Sequence, residues 1–433
     1  MSIETANPEK KELGKKILKG FLFGIMAGCL MLLIGRFYPP ALAKAREIAA
    51  WGLDPFAQVF LRLLFMVVIP LVFCSLAQGI VQLGHLRELG PLAGRTGVMF
   101  ALNMSVGVLL ALVAMNWIQP GMHLSPETRG LLMSQFSSEA RHAADANLAG
   151  GSFSPSSLVR MFFPPNLLRA VTDFEVMPLI LFSLLVGAAG TQLPEGKRAR
   201  LEEILEMGSE IMTRIVGFAM QLAPYAVPAM IFSILVKAGL EILATLSLFA
   251  AVVLVTLAMH LFGSMSIFLK FLAHRSPTAF FLTIRDVLLT AFGTSSSSAT
   301  LPTALRVAKE DLGVSASTAG FVLPLGTTMN MSGTALYEGS VVLFIAQVYG
   351  VDLSIGQQVH LLVLSVLSAV AVAGIPGGSL PMIAGLLMAF GVPPEGLAII
   401  FGMDRVLDMG RTACNVGCDM ATTCIVDAQV NRS

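Results

Sequence analysis

Residues Asp404 to Asp419 read DRVLDMGRTACNVGCD, and the reading of this stretch decides the fold. Taken as a helix, Asp404, Asp408, Arg411, Asn415 and Asp419 fall within an arc of about 80°. One face then carries three carboxylates, a guanidinium and an amide, between the apolar flanks GLAIIFGM and MATTCIV. An Asp or Arg at the centre of a spanning helix costs about 2.5 to 3.5 kcal/mol, so such residues turn towards a site or a protein interior rather than lipid. The helix is therefore expected to lie at membrane depth with its polar stripe facing inward.

The remainder of the chain avoids charge. Of 433 residues 13% are charged and 55% hydrophobic, with a formal net charge of +1, the composition of an all-α polytopic membrane protein. That balance gives no electrostatic case for nucleic acid or for an acidic partner. Lys10, Lys11, Lys15, Lys16 and Lys19 precede the first apolar run, Ile17 to Tyr38, which is long for a signal-peptide core and is read as a retained span with a cytoplasmic N-terminus. Five cysteines (Cys29, Cys74, Cys414, Cys418 and Cys424) lie in apolar segments, so no disulfide framework is expected. Cys414 and Cys418 share a helix face; with no His close in sequence, they read as helix packing rather than as a metal pair.

A second span is expected at Phe56 to Val81 and a third at Thr96 to Ile118. Gly121 to Ser157, polar and Ser-rich, reads as a long external loop. Pro164, Pro165 and Pro178 interrupt a broken fourth span. A fifth helix runs through Val236 and a sixth from Leu243 to Leu272. From Ala279 to Gly293 only about fifteen apolar residues are available, about 22 Å of helix against a core of about 30 Å. That segment cannot cross, and GTSSSSATLP reads as a re-entrant tip whose freed backbone N–H groups face ligand or water. TTMNMSGTALYEG, Thr327 to Gly339, places polar groups and glycines in mid-membrane, the mark of an unwound span. An apolar limb, Val359 to Ala373, then leads to a second tip, Gly374 to Pro381, and to the opening stripe. Two units of hairpin plus polar span, each with an odd number of crossings, make an inverted repeat, whose junction is where transporters bind substrate and ions.

FLRLLFMVVIPLVFCSLAQGI, SSSSATLP, NMSGTALYEG, GIPGG and LDMGRTACNVGCD, in this order, resemble the dicarboxylate/amino acid:cation symporters, the glutamate transporter family, over nearly the whole chain. The resemblance implies eight transmembrane helices plus two re-entrant helical hairpins in a homotrimer of the cell (inner) membrane, both termini cytoplasmic. It implies a scaffold of residues 1–95 and 121–240, and a transport domain of 96–120 and 241–433 that moves as an elevator. In the acidic amino acid branch it gives Arg411, helped by Thr334, the substrate's side-chain carboxylate. Asp408 with Thr412 takes the α-ammonium. Asn415 and the tip amides at Ser296 and Ser297 take the α-carboxylate, with Gly374, Ile375 and Ser379 of the second tip in the same set.

For sodium, the resemblance implies one site from backbone at Gly326, Asn330 and Asn415 with the carboxylate of Asp419. A second lies near Thr328 and the second hairpin, where Ala369 and Val372 replace hydroxyl residues. A third departs from the family, with Ser332 in place of the Asp of NMDGT and with Asn103 and Met104 as its third-span partners. Glu338 stands where proton-coupled members carry a Glu. A second Arg near Asp408 is missing at the two places relatives carry it, here Ser295 and Met409.

The expectation is thus a glutamate/aspartate symporter coupled to sodium and protons, with fewer sodium ions than a three-site relative, and not an enzyme. Its alternatives are a C4-dicarboxylate or neutral amino acid carrier of the same fold and a ligand-gated anion channel. A hydrolase at Ser295 to Ser298 lacks a neighbouring base. The plainer reading of Arg411 is an internal bridge to Asp, and that of Glu338 a structural carboxyl bonded to backbone.

Overall fold

The computed structural model describes residues 8–86, 91–125, 163–172, 176–372 and 379–430. Its elements are helices throughout this described part. The first half comprises α1 (Pro8–Phe37), α2 (Pro39–Ile48), α3 (Asp54–Met66), α4 (Val68–Leu86), α5 (Pro91–Ile118), α6 (Leu167–Thr172), α7 (Val176–Gly190) and α8 (Glu195–Ala238). Next comes α9 (Glu241–Ala258), which runs on to Ala273 through π-helical turns at Met259–Ser264 and Leu269–Ala273. The remainder is α10 (Pro277–Thr283), α11 (Arg285–Thr294), α12 (Ser297–Glu310), α13 (Ala316–Met329), α14 (Ser332–Tyr349), α15 (Ile355–Ala371), α16 (Leu380–Ala389) and α17 (Leu397–Val430). Among the described residues, six helical stretches are long and apolar enough to cross a membrane.

Two packing groups organise these helices. In the first, α8 packs along α1, α3 and α4, and α7 lies on α4. In the second, α17 is surrounded by α5, α9, α11, α13 and α14, while α5 runs along α14 and α15. The stretch Ala316–Tyr349 is almost wholly buried although apolar enough to span, so protein rather than lipid surrounds it. Lys19–Phe37 is mostly exposed, with Phe23, Met26 and Leu30 outward, as a lipid-facing helix requires.

Local chemistry explains where the helices break, and several breaks differ from expectation. The second span is longer than Phe56 to Val81. Pro39 opens α2 directly after Tyr38, and the helix is interrupted again at Val67. Pro70 has no N–H to give the Met66 carbonyl, so the turn before it is released and Val67 bonds Leu64 instead, at 3.3 Å. Pro178 lies in the first turn of α7, where a missing N–H goes unneeded, and residues 173–175 between α6 and α7 lie outside the described residues. The serine tip is shorter than the expected Thr294 to Pro302. Ser295 is left-handed at φ 50°, Ser296 caps α12 by accepting from the Ala299 N–H, and helix resumes at Ser297 with Pro302 inside it. The unwound part of the seventh span is likewise confined to Asn330 and Met331 rather than running from Thr327 to Gly339. Residues 126–157 of the expected loop and 374–378 of the second tip lie outside the described residues.

The α1–α8 seam rests on small residues at helical spacing. A Cβ at Gly20 would lie 2.7 Å from the Pro224 carbonyl oxygen, and one at Gly24 2.8 Å from that of Pro228. Backbone cannot yield as a side chain does, so the two helices approach this closely only through glycine. Gly24→Ile is expected to lower the unfolding free energy by about 1–3 kcal/mol, the usual cost of overpacking. Gly217→Ala, on α8 with open space around it, is expected to raise it by about 0.5–1 kcal/mol. Thermal unfolding of the purified protein compares the two.

Candidate functional site

The stripe on α17 is buried along its whole length, with Asp404, Asp408, Arg411, Asn415 and Asp419 all 5% exposed or less. Arg411 holds its upper part together. Its Nη2 donates to Asp408 Oδ1 at 2.5 Å, its Nη1 stands 3.5 Å from Asp404 Oδ1, and its guanidinium carbon lies 4.5 Å from the centre of the Tyr337 ring. A cation over a desolvated aromatic face gains about 2 kcal/mol. The internal Arg–Asp bridge is therefore present, but it leaves Asp408 half engaged, since Asp408 Oδ2 has no hydrogen-bond partner. Arg405 Nη1 reaches to 3.6 Å from that oxygen, an ion pair without hydrogen-bond geometry. Sequence reasoning missed Arg405 and Tyr337. Each had a positional signal: Arg405 stands three residues before Asp408, and Tyr337 three after Thr334 on the same helix face.

Below this bridge, α17 grips the unwound pair Asn330–Met331. Asn415 Oδ1 accepts the Gly333 N–H at 2.7 Å and the Thr334 N–H at 3.2 Å, two donors that a helix start leaves without intrahelical partners. Its Nδ2 donates to Thr334 Oγ1 at 3.1 Å. A Cβ at Gly333 would lie 2.7 Å from the Arg411 carbonyl oxygen, so glycine lets the restart of α14 touch α17. One turn on, Asn330 Nδ2 donates to Asp419 Oδ1 at 2.8 Å, and Asn103 Nδ2 of α5 donates to Asn330 Oδ1 at 3.2 Å. Gly326 packs directly on the Asp419 carboxylate, where a Cβ would fall 2.5 Å from Oδ1.

A small, partly open cavity lies beside Asn415. Ser295, Ser297, Met331, Thr334, Val372, Ser379, Asp408, Arg411, Thr412 and Asn415 line it. Seven residues of the expected substrate set thus share one cavity: Arg411, Asp408, Thr412, Asn415, Thr334, Ser297 and Ser379. Ser296 is not among the lining residues; its N–H is taken by Thr294 Oγ1 at 3.3 Å and its side chain caps α12. Gly374 and Ile375 lie outside the described residues.

Of the residues expected to hold cations, Gly326, Asn330, Asn415 and Asp419 come together as described. Thr328 is exposed, with its hydroxyl donated to the Leu325 carbonyl at 3.0 Å. Ala369 is fully buried and Val372 lines the cavity. Asn103, Met104 and Ser332 are buried, and Ser332 Oγ has no hydrogen-bond partner. Glu338 is 0% exposed and neither carboxyl oxygen accepts a hydrogen bond. A carboxyl satisfied by backbone is therefore not what stands there.

The buried charges do not balance. Among the described residues five carboxylates are buried (Glu338, Asp404, Asp408, Asp419 and Asp427) against one guanidinium, Arg411. Asp427 lies at one end, accepting from the N–H and hydroxyl of Ser315 at 3.2 and 2.7 Å. Asp419 and Glu338 have no cationic side chain paired with them in the described structure. A carboxylate at this depth without a cation or a proton is far too costly to persist, so the site is chemically fitted to take up both.

The model of the sodium:dicarboxylate symporter family matches residues 13–429. A proton/sodium-glutamate symport protein of Geobacillus stearothermophilus is 31% identical over 93% of this chain and 91% of its own length. The proton/glutamate-aspartate symporter of Escherichia coli (strain K12) is 32% identical over 84% and 82%. A C4-dicarboxylate transport protein of Leptothrix cholodnii is 30% identical over 93% and 86%. A match of this length, together with a cavity read by a buried Arg–Asp pair, places the chain in a known group: it belongs to the sodium:dicarboxylate symporter family.

Proposed function

We propose that the protein is a secondary active transporter that imports glutamate or aspartate, coupled to sodium and protons, through an elevator motion. The imbalance of buried charge carries this reading: five buried carboxyl groups stand against Arg411 among the described residues, and Asp419 and Glu338 have no ion pair. Asp419, with the hard oxygens of Gly326, Asn330 and Asn415 around it, suits sodium. Glu338, fully buried and without an ion pair among the described residues, suits a proton. The name of the Geobacillus stearothermophilus relative supports coupling to both ions, and that of the Escherichia coli relative supports coupling to protons.

In this reading Arg411 turns its planar fork from Asp408 to the substrate's side-chain carboxylate, which it can grip bidentately. Thr334 assists it. Asp408, released, pairs with the α-ammonium beside Thr412. Asn415 and the first-tip serines receive the α-carboxylate, with Ser295 and Ser297 lining the cavity in place of the expected Ser296. Gly374, Ile375 and Ser379 of the second tip close the site. Sodium occupies the Asp419 site and a second site near Thr328, Ala369 and Val372. The third, at Asn103, Met104 and Ser332, lacks a carboxylate and is not used by sodium.

The chain carries eight transmembrane helices and two re-entrant hairpins, α10–α12 and α15–α16, in a homotrimer of the inner membrane with both termini cytoplasmic. Residues 1–95 and 121–240 form the fixed scaffold, and 96–120 and 241–433 the moving transport domain. The two packing groups, one around α8 and one around α17, support this division.

A second reading, C4-dicarboxylate transport, draws on Arg405. With guanidinia on both of its oxygens, Asp408 is partly neutralised before any ammonium arrives, and a relative at 30% identity bears that name.

Proteoliposome uptake tests these assignments. Arg411→Ala is expected to lower uptake of labelled aspartate at least a hundredfold, about the loss of 2.7 kcal/mol or more of charge-assisted binding; unchanged uptake would remove Arg411 from the site. Arg405→Ala is expected to lower the KM for aspartate relative to that for succinate by about tenfold, since it frees Asp408 Oδ2 for an ammonium. A shift the other way favours the dicarboxylate reading. Glu338→Gln is expected to retain sodium-driven uptake while losing its acceleration by an inward proton gradient. Full gradient dependence in that variant would move the proton elsewhere.

A further inference from the structure

Beside the sodium-type oxygens lies a second cluster of different chemistry. His260, in the π-helical turn Met259–Ser264, meets Cys414 and Cys418, one helical turn apart on α17, with one ligand atom from each within 4.8 Å of the others. The two cysteines alone read as packing; what sequence could not show is the imidazole brought to them from over 150 residues upstream. His260 is 0% exposed and neither ring nitrogen has a hydrogen-bond partner. An imidazole buried with both nitrogens unmet is costly unless something at the site takes one of them. Cys414 and Cys418 are 1% and 0% exposed, the Cys414 thiol donates to the Leu257 carbonyl at 3.8 Å, and the Ser332 hydroxyl interacts with both sulfurs. A Cβ at Gly107 of α5 would fall 3.2 Å from His260 Nε2, close enough to crowd the ring.

We infer that His260, Cys414 and Cys418 form a site for a thiophilic d10 cation, zinc(II), distinct from any site for transported sodium. Two sulfurs and an imidazole nitrogen are soft to borderline ligands, unsuited to sodium and matched to zinc. Binding forms two Zn–S bonds and one Zn–N bond, and the two thiol protons leave to solvent. The two thiolates cancel the charge of the ion, so the occupied site is neutral and fits an interior that already carries too much negative charge. Tetrahedral zinc places its ligand atoms about 3.5–3.8 Å apart, so closure asks for side-chain movements of about 1 Å. Ser332 Oγ or a water completes the fourth position. The ion would tie α9 to α17 beside the start of α14, the point from which the unwound pair Asn330–Met331 is held.

The test is metal content, which involves no substrate and is independent of the proposed transport activity. Purified full-length protein, stripped with chelator and dialysed against nanomolar buffered zinc, is expected to retain about one zinc per chain. His260→Asn, Cys414→Ser and Cys418→Ser are each expected to lower retention at least tenfold, and Cys424→Ser, buried elsewhere on α17, to leave it unchanged. Substituting cobalt(II) in the wild-type protein is expected to give thiolate-to-metal charge-transfer absorption and the visible bands of a tetrahedral ion. Failure to retain zinc, retention indifferent to the His260 and Cys substitutions, or a cobalt spectrum without thiolate bands would each overturn the inference. The last needs no variant to fold.

Discussion

A guanidinium 2% exposed in the middle of a membrane protein dictates most of what surrounds it. Arg411 cannot shed its charge, so the helices around it must supply anions and an aromatic face, and Asp404, Asp408 and Tyr337 do so. Those groups need their own burial, which forces α14 against α17 through Gly333 and obliges Asn415 to take up the N–H groups released where α14 restarts. The short unwound segment is thus a consequence of packing around a buried charge.

Breaking such a bridge by removing one partner typically costs 3–5 kcal/mol, whereas exchanging the partner for another carboxylate costs little. That asymmetry suits a binding site. In the proposed function a dicarboxylic amino acid would offer Arg411 a carboxylate and Asp408 an ammonium, and so would repair both halves of the bridge. Further down, Asp419 and Glu338 have no ion-pair partner among the described residues, while Asn415, one helical turn before Asp419, lines the cavity and holds the Gly333 and Thr334 N–H groups.

Much of this was legible in the sequence because period and chemistry coincide on α17. Acidic, basic and amide residues at helical spacing inside an apolar run can be accommodated in few ways, and the stripe is buried as the spacing demands. The breaks were legible as to place but not extent. Thr327 to Gly339 and Thr294 to Pro302 both contain helix-hostile residues, yet capping by Ser296 and stapling by Asn415 confine each break to about two residues. Partners that arrive from far along the chain were not legible. His260 reaches the cysteines of α17 only through the fold, and Arg405 drops off the stripe when the face is drawn through Asp408 and Arg411 although its long side chain still returns to Asp408.

In the proposed function one cavity binds an acidic amino acid while the Asp419 carboxylate takes up sodium. Thermal stabilisation of the purified protein tests it most directly, because a ligand that binds only the folded state raises the melting temperature in proportion to its occupancy. Aspartate or glutamate together with sodium is predicted to raise the melting temperature by more than the sum of either alone, with succinate and serine well below them. Equal stabilisation by all four solutes, or by aspartate irrespective of sodium, would contradict it.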